Sequence, residues 1–512
     1  MNMQNNVYIT QRPVCEPFEM GTRDNLFTLI LALLSIPFVS LTLWGGFNSG
    51  YTVSVILSLT LFSVYLFNKK IKFKLFPFLC LFMSVCASLI FPYSADTSVR
   101  FFLVLLLTLS AFIWFAYLGG YDLSDDYLLV SAVTGGILGS IFGNVAKSIK
   151  TVFSGENKNK KTIIKILAGA VCAIPAVIVL VILLRSSDAA FAGLLSQIGK
   201  RTGNFNSLVF KVIVGVLFFP FALSLGLGLA KNKREQVRWQ IKSSIDKIFV
   251  LSFLSAISVV YVAYIFSQFA YFFNAFKGLL PDGITASSYA RRGFFEMTVI
   301  AAINFVIISF ASVFTKKKEN GKRNASVNAV IVFIGVFTIL LIATALSKMI
   351  LYINIFGMTR LRILTSAFML FLAVLFIAVI LRVYINKISV IKTGIITATL
   401  ILLVVGFADV DKTVAKYNLY AYNNEYIEDL DVEALGDLGY GAVPTLYEIY
   451  NNQDYSRKIR LTAKKELNQK VEIMFYITEV DNETVYERKT NAGSFNVSEY
   501  RAQKVLEDFL GI

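Results

Sequence analysis

Long apolar runs constrain this chain more than any other feature of its sequence. Eleven segments reach or approach the roughly 20 residues needed to cross about 30 Å of hydrocarbon. They are Leu26–Trp44, Tyr51–Phe67, Leu75–Phe91, Phe101–Leu118, Ile163–Leu184, Leu208–Ala230, Val250–Gln268, Phe294–Phe314, Asn328–Ser347, Ile363–Leu381 and Thr393–Phe407. With 56% apolar and 16% charged residues, the sequence predicts an all-α polytopic membrane bundle of about 11 transmembrane helices. A small C-terminal soluble domain, mainly α or α+β, is predicted to follow it.

The distribution of lysine and arginine between loops predicts the orientation. With a cytoplasmic N-terminus, the six segments on that side carry 25 Lys and Arg, whereas the five opposite loops carry 10. Because insertion retains basic residues in short cytoplasmic loops, we predict the N-terminus inside and the C-terminus outside. Leu26 opens a run too long for a cleavable signal peptide, so we expect none. The net charge of +16 is then explained by anionic lipid, and no nucleic-acid partner is expected.

The segment Leu128–Lys150 is apolar enough for a twelfth span. A crossing there would invert every later loop and place the basic loops outside, against the charge rule. We therefore predict that this segment lies on, or dips into, the cytoplasmic face. Its glycines, Gly135, Gly139 and Gly143, form a stripe that allows close approach to a neighbouring helix.

Composition divides the chain into four predicted parts. Residues 1–25 form a cytoplasmic tail, and 26–162 a four-helix membrane part that includes the cytoplasmic-face helix and a basic linker. Residues 163–408 form a seven-helix membrane part, and 409–512 an extracytoplasmic domain with 19 acidic and 12 basic residues. In that domain we predict helices at Val410–Ala421, Leu435–Tyr450, Tyr455–Glu466 and Ser498–Leu510 (with Ser498 as N-cap), and a strand Val471–Thr478 paired with Glu483–Arg488.

Two residue types limit the possible chemistry. The chain contains no histidine, which excludes histidine general acid–base catalysis, Ser-His-Asp triads and histidine metal ligands. Its four cysteines lack zinc-ligand spacing, and the C-terminal domain has none, so we expect no disulfide framework. We predict no metal, no cofactor and no catalytic residue, and the sequence favours a non-enzymatic role.

Seven charged residues fall at predicted outer ends of helices, where insertion disfavours basic side chains. This outer-face cluster consists of Arg185, Asp188, Arg291, Arg292, Glu296, Arg360 and Arg362. Arg292 and Glu296 are one helical turn apart and can pair, and the planar fork of arginine suits phosphate or carboxylate. We therefore hypothesise an anionic-ligand site, although arginines at helix ends also reach for headgroups without holding a specific ligand.

The same stretches carry a family resemblance. The motifs R-S-S-D-A-A-F (185–191), Y-A-R-R-G-F-F-E (289–296) and M-T-R-L-R-I (358–363) resemble a bacterial integral-membrane family called "domain of unknown function" 4173, related to 4153. Asn304, predicted to bond between helices, follows the second motif. The segments D-V-D-K-T-V-A-K-Y-N (409–418) and G-A-V-P-T-L (441–446) are similar to the segment that follows the membrane part in that family. The resemblance spans about Ile163–Tyr450 and implies a bacterial plasma-membrane location but no activity.

Three functions are compatible with these features. The first is binding or moving an anionic lipid or envelope component at the outer-face cluster. The second is a structural or signalling role in which the extracytoplasmic domain binds a protein partner. The third, an envelope glycosyl- or phosphotransferase, requires Asp188 and Glu296 to face one water-filled cavity. The sequence leaves the oligomeric state open.

Overall fold

The fold is a polytopic helical bundle, as predicted from the apolar runs. The computed structural model describes residues 18–68, 71–153, 180, 184, 186–188, 191, 193, 205–231, 245–276, 286–316, 324–385, 387–480, 483–489 and 494–512. In these residues ten helices are long and apolar enough to cross a membrane. Nine of the ten coincide with predicted spans. Of the other two predicted spans, Leu75–Phe91 forms the shorter apolar helix Leu75–Ser88, and Ile163–Leu184 lies almost wholly outside the described residues.

The chain forms two compact units, Met1–Pro77 with Ala111–Gln236 and Phe78–Ser110 with Val237–Ile512. Two of the three boundaries between them fall inside helices α3 (Leu75–Ser88) and α4 (Thr97–Leu118), and the third lies between residues 236 and 237. The division into four-helix, seven-helix and C-terminal parts, drawn from composition, stays a prediction about folding units.

The first unit is built around two antiparallel helices, α1 and α8. Its elements are α1 (Thr22–Val39, continued by a π-helical turn Ser40–Trp44), α2 (Ser49–Leu66), the end of α4, α5 (Asp126–Ser131), a π-helical stretch (Ala132–Leu138), α6 (Gly139–Gly143), α7 (Val145–Phe153) and α8 (Phe205–Lys231). Gly215 and Gly226 of α8 lie so close to Ile36 and Phe27 of α1 that an added Cβ would come within 3 Å of them. The absence of side chains at these glycines lets the two helices pack closely.

The segment 126–153 begins and ends at the same end of the first unit. Just before it, the Asp122 carboxylate lies 3.3 Å from Lys74 Nζ, a few residues beyond α2. At its end, Thr151 Oγ1 accepts a hydrogen bond of 2.7 Å from the backbone N–H of Phe18, which precedes α1. The α2 terminus and the α1 start meet there, since the Tyr65 hydroxyl donates to Asp24. By length and composition Asp126–Gly143 could cross a membrane. The contacts place both ends of the segment at one end of the first unit, and its predicted location on the cytoplasmic face stays a prediction.

The membrane helices of the second unit pack around a continuous apolar core. The helices that contribute to this core are α9 (Lys247–Phe276), α10 (Ala286–Phe314), α11 (Ala325–Phe356), α12 (Arg360–Tyr384) and α13 (Val390–Ala408). Most of α3 and the first part of α4 also belong to the second unit. Ile331, Phe337 and Phe376 are among the buried side chains that form the core. Within it, the Asn304 amide donates to Thr338 Oγ1 at 2.8 Å and accepts from the Tyr261 hydroxyl. The predicted interhelical hydrogen bond of Asn304 is thus confirmed.

Residues 409–512 fold as short helices with one hairpin. The elements are α14 (Val410–Asn423), α15 (Val432–Gly436), a 3₁₀ turn (Tyr440–Ala442), α16 (Val443–Asn451), α17 (Arg457–Met474), antiparallel β1 (Phe475–Val480) and β2 (Glu483–Arg488), and α18 (Val497–Leu510). Three sequence-based details were wrong. The predicted helix Leu435–Tyr450 is divided, because α15 ends at Gly436 and α16 begins at Val443, with the 3₁₀ turn between them. The strand starts at Phe475 because α17 continues to Met474, and Asn496, not Ser498, caps α18 by accepting from the N–H of Glu499.

Candidate functional site

Arg360 is the only residue of the outer-face cluster for which the described contacts give a carboxylate partner. It is the first residue of α12, where the positive end of the helix dipole disfavours a cation. Its guanidinium donates to Asp411 Oδ1 of the C-terminal domain and lies 3.7 Å from Asp96 Oδ2. The two carboxylate side chains are each 2% exposed, whereas the Arg360 side chain is 35% exposed. The pair thus joins a membrane helix to the C-terminal domain.

Asp96 is held in place by its own role at a helix start. Its Oδ1 accepts a 2.8 Å hydrogen bond from the N–H of Val99, and Asp96 thereby caps the start of α4. One turn into that helix, Arg100 donates to the carbonyls of Phe91 and Ser94 at 2.8 and 2.9 Å. Arg100 therefore fixes the loop that connects α3 to α4, and this loop carries Asp96. We define the junction cluster as Asp96, Arg100, Arg360, Asp409 and Asp411.

The loop 439–441 wraps around the two aspartates that start α14. Gly439 donates its N–H to Asp411 Oδ2 at 3.0 Å, and an added Cβ on Gly439 would come 2.4 Å from that oxygen. A Cβ on Gly441 would come 2.7 Å from Asp409 Oδ1. Gly439 and Gly441 therefore have a steric reason: any side chain at either position would collide with a buried carboxylate.

A second contact between the same segments lies beside the junction cluster. The Asn418 side chain accepts from the N–H of Met358 at 2.6 Å and donates to its carbonyl at 2.9 Å. Gly357 precedes this pair with φ +74, and an added Cβ would come 2.5 Å from Asn418 Oδ1. Both the left-handed conformation and the close approach require glycine. The motifs at 358–363, 409–418 and 441–446, which are distant in sequence, thus meet in one place.

The third contact involves the last helix. Asn496 Nδ2 donates to the carbonyl of Phe91 at 2.9 Å, and the N–H of Val497 donates to the carbonyl of Pro92 at 2.7 Å. The start of α18 is therefore bonded to the loop that Arg100 fixes. The C-terminal domain is held at three points on the second unit's membrane helices and their loops.

The positive charges of the junction cluster nearly, but not fully, neutralise its negative charges. The junction cluster contains three carboxylates and two guanidiniums. Burial raises the pKa of Asp411 above its ordinary value, contact with Arg360 opposes this, and the charges of Asp96 and Asp409 add to it. Lys470 of α17 donates to the carbonyl of Leu438 at 2.7 Å, and burial lowers the pKa of Lys470 while nearby Asp411 opposes that shift. A small movement of the Asp411 carboxylate would therefore change the electrostatic energy of Arg360, Asp96, Asp409 and Lys470.

Arg362 has a different, local role. Its Nη1 donates to the carbonyl of Phe356 at 2.9 Å and to that of Gly357. The guanidinium lies over the ring of Tyr352, 3.9 Å from the centroid. Arg362 therefore caps the C-terminal end of α11, a position that favours a cation. Although only one residue separates Arg362 from Arg360, the two side chains have different partners.

The other predicted site residues are placed only in part. Glu296 is exposed on α10, and its charge acts on Lys348 of α11. Asp188 accepts a 3.2 Å hydrogen bond from the N–H of Phe191. Arg185 lies outside the described residues, and the side chains of Arg291 and Arg292 do too, although their backbone belongs to α10. Whether the seven residues form one site therefore stays a prediction.

The junction carboxylates were missed as site residues, although the sequence contained two clues. Asp409 and Asp411 lie within the family-like motif 409–418, directly after the last apolar run. A positively charged residue at a helix start, such as Arg360, also signals a nearby compensating carboxylate. Nothing in the sequence pairs Arg360 with Asp96, 264 positions earlier in the numbering. Within the described ranges, no three Cys, Asp or Glu side chains are grouped so that they could hold a metal ion.

Comparison with known proteins gives the family. The model of a domain of unknown function, DUF4153, matches residues 53–449, which is well over half of the chain. The chain belongs to the DUF4153 family. The match covers every residue of the junction cluster and the glycines at 357, 439 and 441, and it ends within α16, before α17, the hairpin and α18. No curated protein and no solved structure matches the chain.

Proposed function

We propose that this DUF4153 protein is a structural or signalling membrane protein whose C-terminal domain, residues 409–512, binds a partner. In this proposal the domain is coupled to the membrane helices, so that a change in one alters the other. The observation that carries it is the pairing of Arg360 with Asp411, because the arginine predicted to hold an outside ligand is instead paired with this domain.

The contact at the start of α18 supports coupling rather than simple tethering. A domain attached only through its chain would need no bonds to the loop between α3 and α4, yet both Asn496 and Val497 donate to it. Buried ion pairs contribute little net stability but strongly oppose any arrangement that leaves one charge unpaired. We therefore expect the C-terminal domain to be either fully paired with the membrane helices or released from them, rather than to move gradually.

The proposal concerns the domain's surface as well as its attachment. Leu461 and Ile473 of α17 and Tyr476 of β1 are each more than half exposed. Large apolar side chains of this kind supply contact area when a protein partner is bound. We expect the partner to be extracytoplasmic, because the loop charges predict that side for the C-terminus.

The test is genetic complementation of a strain that lacks the gene. Truncation after Ala408 alone would leave Arg360 without Asp411, so the truncated chain also carries Arg360→Gln, and full-length Arg360→Gln is its control. We expect the truncated chain to insert but not to complement, and the full-length control to complement at least in part. Full complementation by the truncated chain would exclude the proposal.

The anionic-lipid role suggested for the outer-face cluster now depends mainly on Arg185, Arg291 and Arg292, because Arg360 and Arg362 have partners within the protein. A full-length Arg291→Gln/Arg292→Gln chain in the same assay separates the two functions. Loss of complementation by this variant, together with full complementation by the truncated chain, would favour the lipid role. A transferase role would need Asp188 and Glu296 to act on one substrate; the described contacts join Asp188 to the N–H of Phe191 and put the charge of Glu296 near Lys348.

A further inference from the structure

The first unit contains a cavity that neither the proposed function nor the outer-face cluster uses. It has a volume of about 550 Å³ and lies where α1 begins and α2, α4 and α8 end. This volume falls within the range typical of small-molecule sites. Its polar lining includes Arg23, Asp24 and Lys231, and its apolar lining includes Leu118 and Leu229.

Asp24 organises the polar side of this cavity. Its Oδ2 accepts from the N–H of Gly21 at 2.8 Å and lies 2.7 Å from Lys231 Nζ, and its Oδ1 accepts from the Tyr65 hydroxyl at 2.9 Å. The Asp24 side chain is 9% exposed, so its charge is satisfied within the protein. Asp24 therefore fixes Lys231 at the cavity.

Arg23 supplies the positive charge that the internal pairs do not neutralise. Its Nη2 donates to the carbonyls of Val64 and Phe67, at the end of α2. Both bonds use one of the three guanidinium nitrogens, and five N–H groups belong to the whole group. The side chain is exposed, while the carbonyl contacts hold it beside the cavity. Among the charged residues of the lining, two cations stand against one carboxylate.

We propose that this cavity binds a phosphate ester, with the phosphate contacted by Arg23 and Lys231. Guanidinium and ammonium groups at helix ends suit phosphate oxygens, and basic pockets between transmembrane helices favour anionic headgroups. The leucines that line the cavity can accommodate the apolar part of such a ligand. The inference is independent of the proposed function, because it involves neither the C-terminal domain nor the junction cluster.

The test measures binding to the full-length protein in detergent by native mass spectrometry. The probes are phosphatidylglycerol, phosphatidylcholine and glycerol 3-phosphate. We expect phosphatidylglycerol to bind more tightly than phosphatidylcholine, and Arg23→Gln to weaken its binding about tenfold, or about 1.4 kcal/mol. The matched control is Lys74→Gln, which removes one charge from an exposed ion pair with Asp122 outside the cavity lining.

A single Lys231 variant would leave Asp24 buried without its cation, so the second variant is the neutral pair Asp24→Asn/Lys231→Gln. It should also weaken phosphatidylglycerol binding while the melting temperature stays close to that of the wild type. If glycerol 3-phosphate competes fully, the ligand is a soluble phosphate ester; if it does not compete, the ligand is a lipid. Equal binding by wild type and Arg23→Gln, or equal losses in Arg23→Gln and Lys74→Gln, would overturn the proposal.

Discussion

Arg360 makes contacts that a neutral side chain of the same size could not replace. Its carboxylate partners come from two places, the loop before α4 and the start of α14, and both are almost fully buried. The cost of removing one partner therefore comes mainly from the charge left behind rather than from the lost attraction. Because the guanidinium itself is about one-third exposed, water reduces this cost.

Asp411→Asn is accordingly expected to destabilise the protein by about 1.5 kcal/mol, below the 3–5 kcal/mol typical of a fully buried pair. Arg360→Gln should cost more, because it leaves the almost fully buried carboxylates of Asp96 and Asp411 without this guanidinium. The double variant should cost less than the sum of the two single variants, because the two residues interact. Denaturation of the purified protein in detergent measures all three. Lys465→Gln is the control, since its ion pair with Glu433 is 60% and 71% exposed. Strict additivity of the two single variants would contradict the prediction.

The partners of some single residues could be predicted from the sequence, and those of others could not. Arg362 and Arg360 look alike in the sequence, each a basic residue at a predicted helix end. The difference between them arises from partners that no local pattern reveals: a ring and two carbonyls of α11 for Arg362, and carboxylates from distant segments for Arg360. Asn304 was predictable, because a polar amide inside an apolar span needs a partner on a neighbouring helix.

At the level of elements, agreement was best where the determining pattern is local. The spans follow from apolar length alone, so nine coincide with helices of the structure. The strand boundary failed because Val471 and Met474 continue the buried face of α17 that includes Ala463 and Leu467. This helical spacing competes with the β-branched and aromatic residues that indicate a strand. The choice between them depends on packing against the rest of the domain.

The hairpin is attached to α18 by an ion pair between Arg488 and Glu507, and we expect the ionisation of Glu507 to affect stability. Arg488 Nε and Nη2 each donate at 2.5 Å to the two oxygens of Glu507, and this bidentate contact lowers the pKa of Glu507 below its ordinary value. A lowered acid pKa contributes stability above the unfolded value of 4.5, and that stability is lost as the pH falls through the folded pKa. Glu507→Gln should therefore lower the melting temperature at pH 7 more than below pH 4. Glu487→Gln, which removes a carboxylate from β2, is the control, and an equal effect of Glu507→Gln at both pH values would refute the prediction.

The segment 126–153 can be tested for crossing directly. In a chain without its native cysteines, Ser124→Cys and Lys150→Cys place thiols at two exposed positions near its two ends. Because both ends contact the same end of the first unit, we expect a membrane-impermeant maleimide to label both from one side of the membrane. Labelling from opposite sides would show that Asp126–Gly143 crosses, as its length and composition allow.

At the level of the whole molecule, the contacts of the C-terminal domain agree with the topology predicted from the loop charges. Residues 91–96, 357–360 and 408–411 all lie between or after helices on the side predicted to be extracytoplasmic. These are the segments that bring together the junction cluster. The acidic residues of 409–512 thus include the carboxylate that pairs with Arg360, on the side predicted to be extracytoplasmic, where insertion disfavours basic residues.

The orientation itself is the last prediction, since apolar helices alone do not determine it. Alkaline phosphatase fused after Ile512 should be active, and green fluorescent protein fused there should not fluoresce, because the positive residues retained inside place the C-terminus outside. The same reporters inserted within the basic sequence 317–323, which the charge rule predicts to be cytoplasmic, should give the opposite result, which controls for expression. Fluorescence of the C-terminal fusion would reverse every loop assignment. It would place the junction cluster and the C-terminal domain in the cytoplasm, where the partner would then have to be sought.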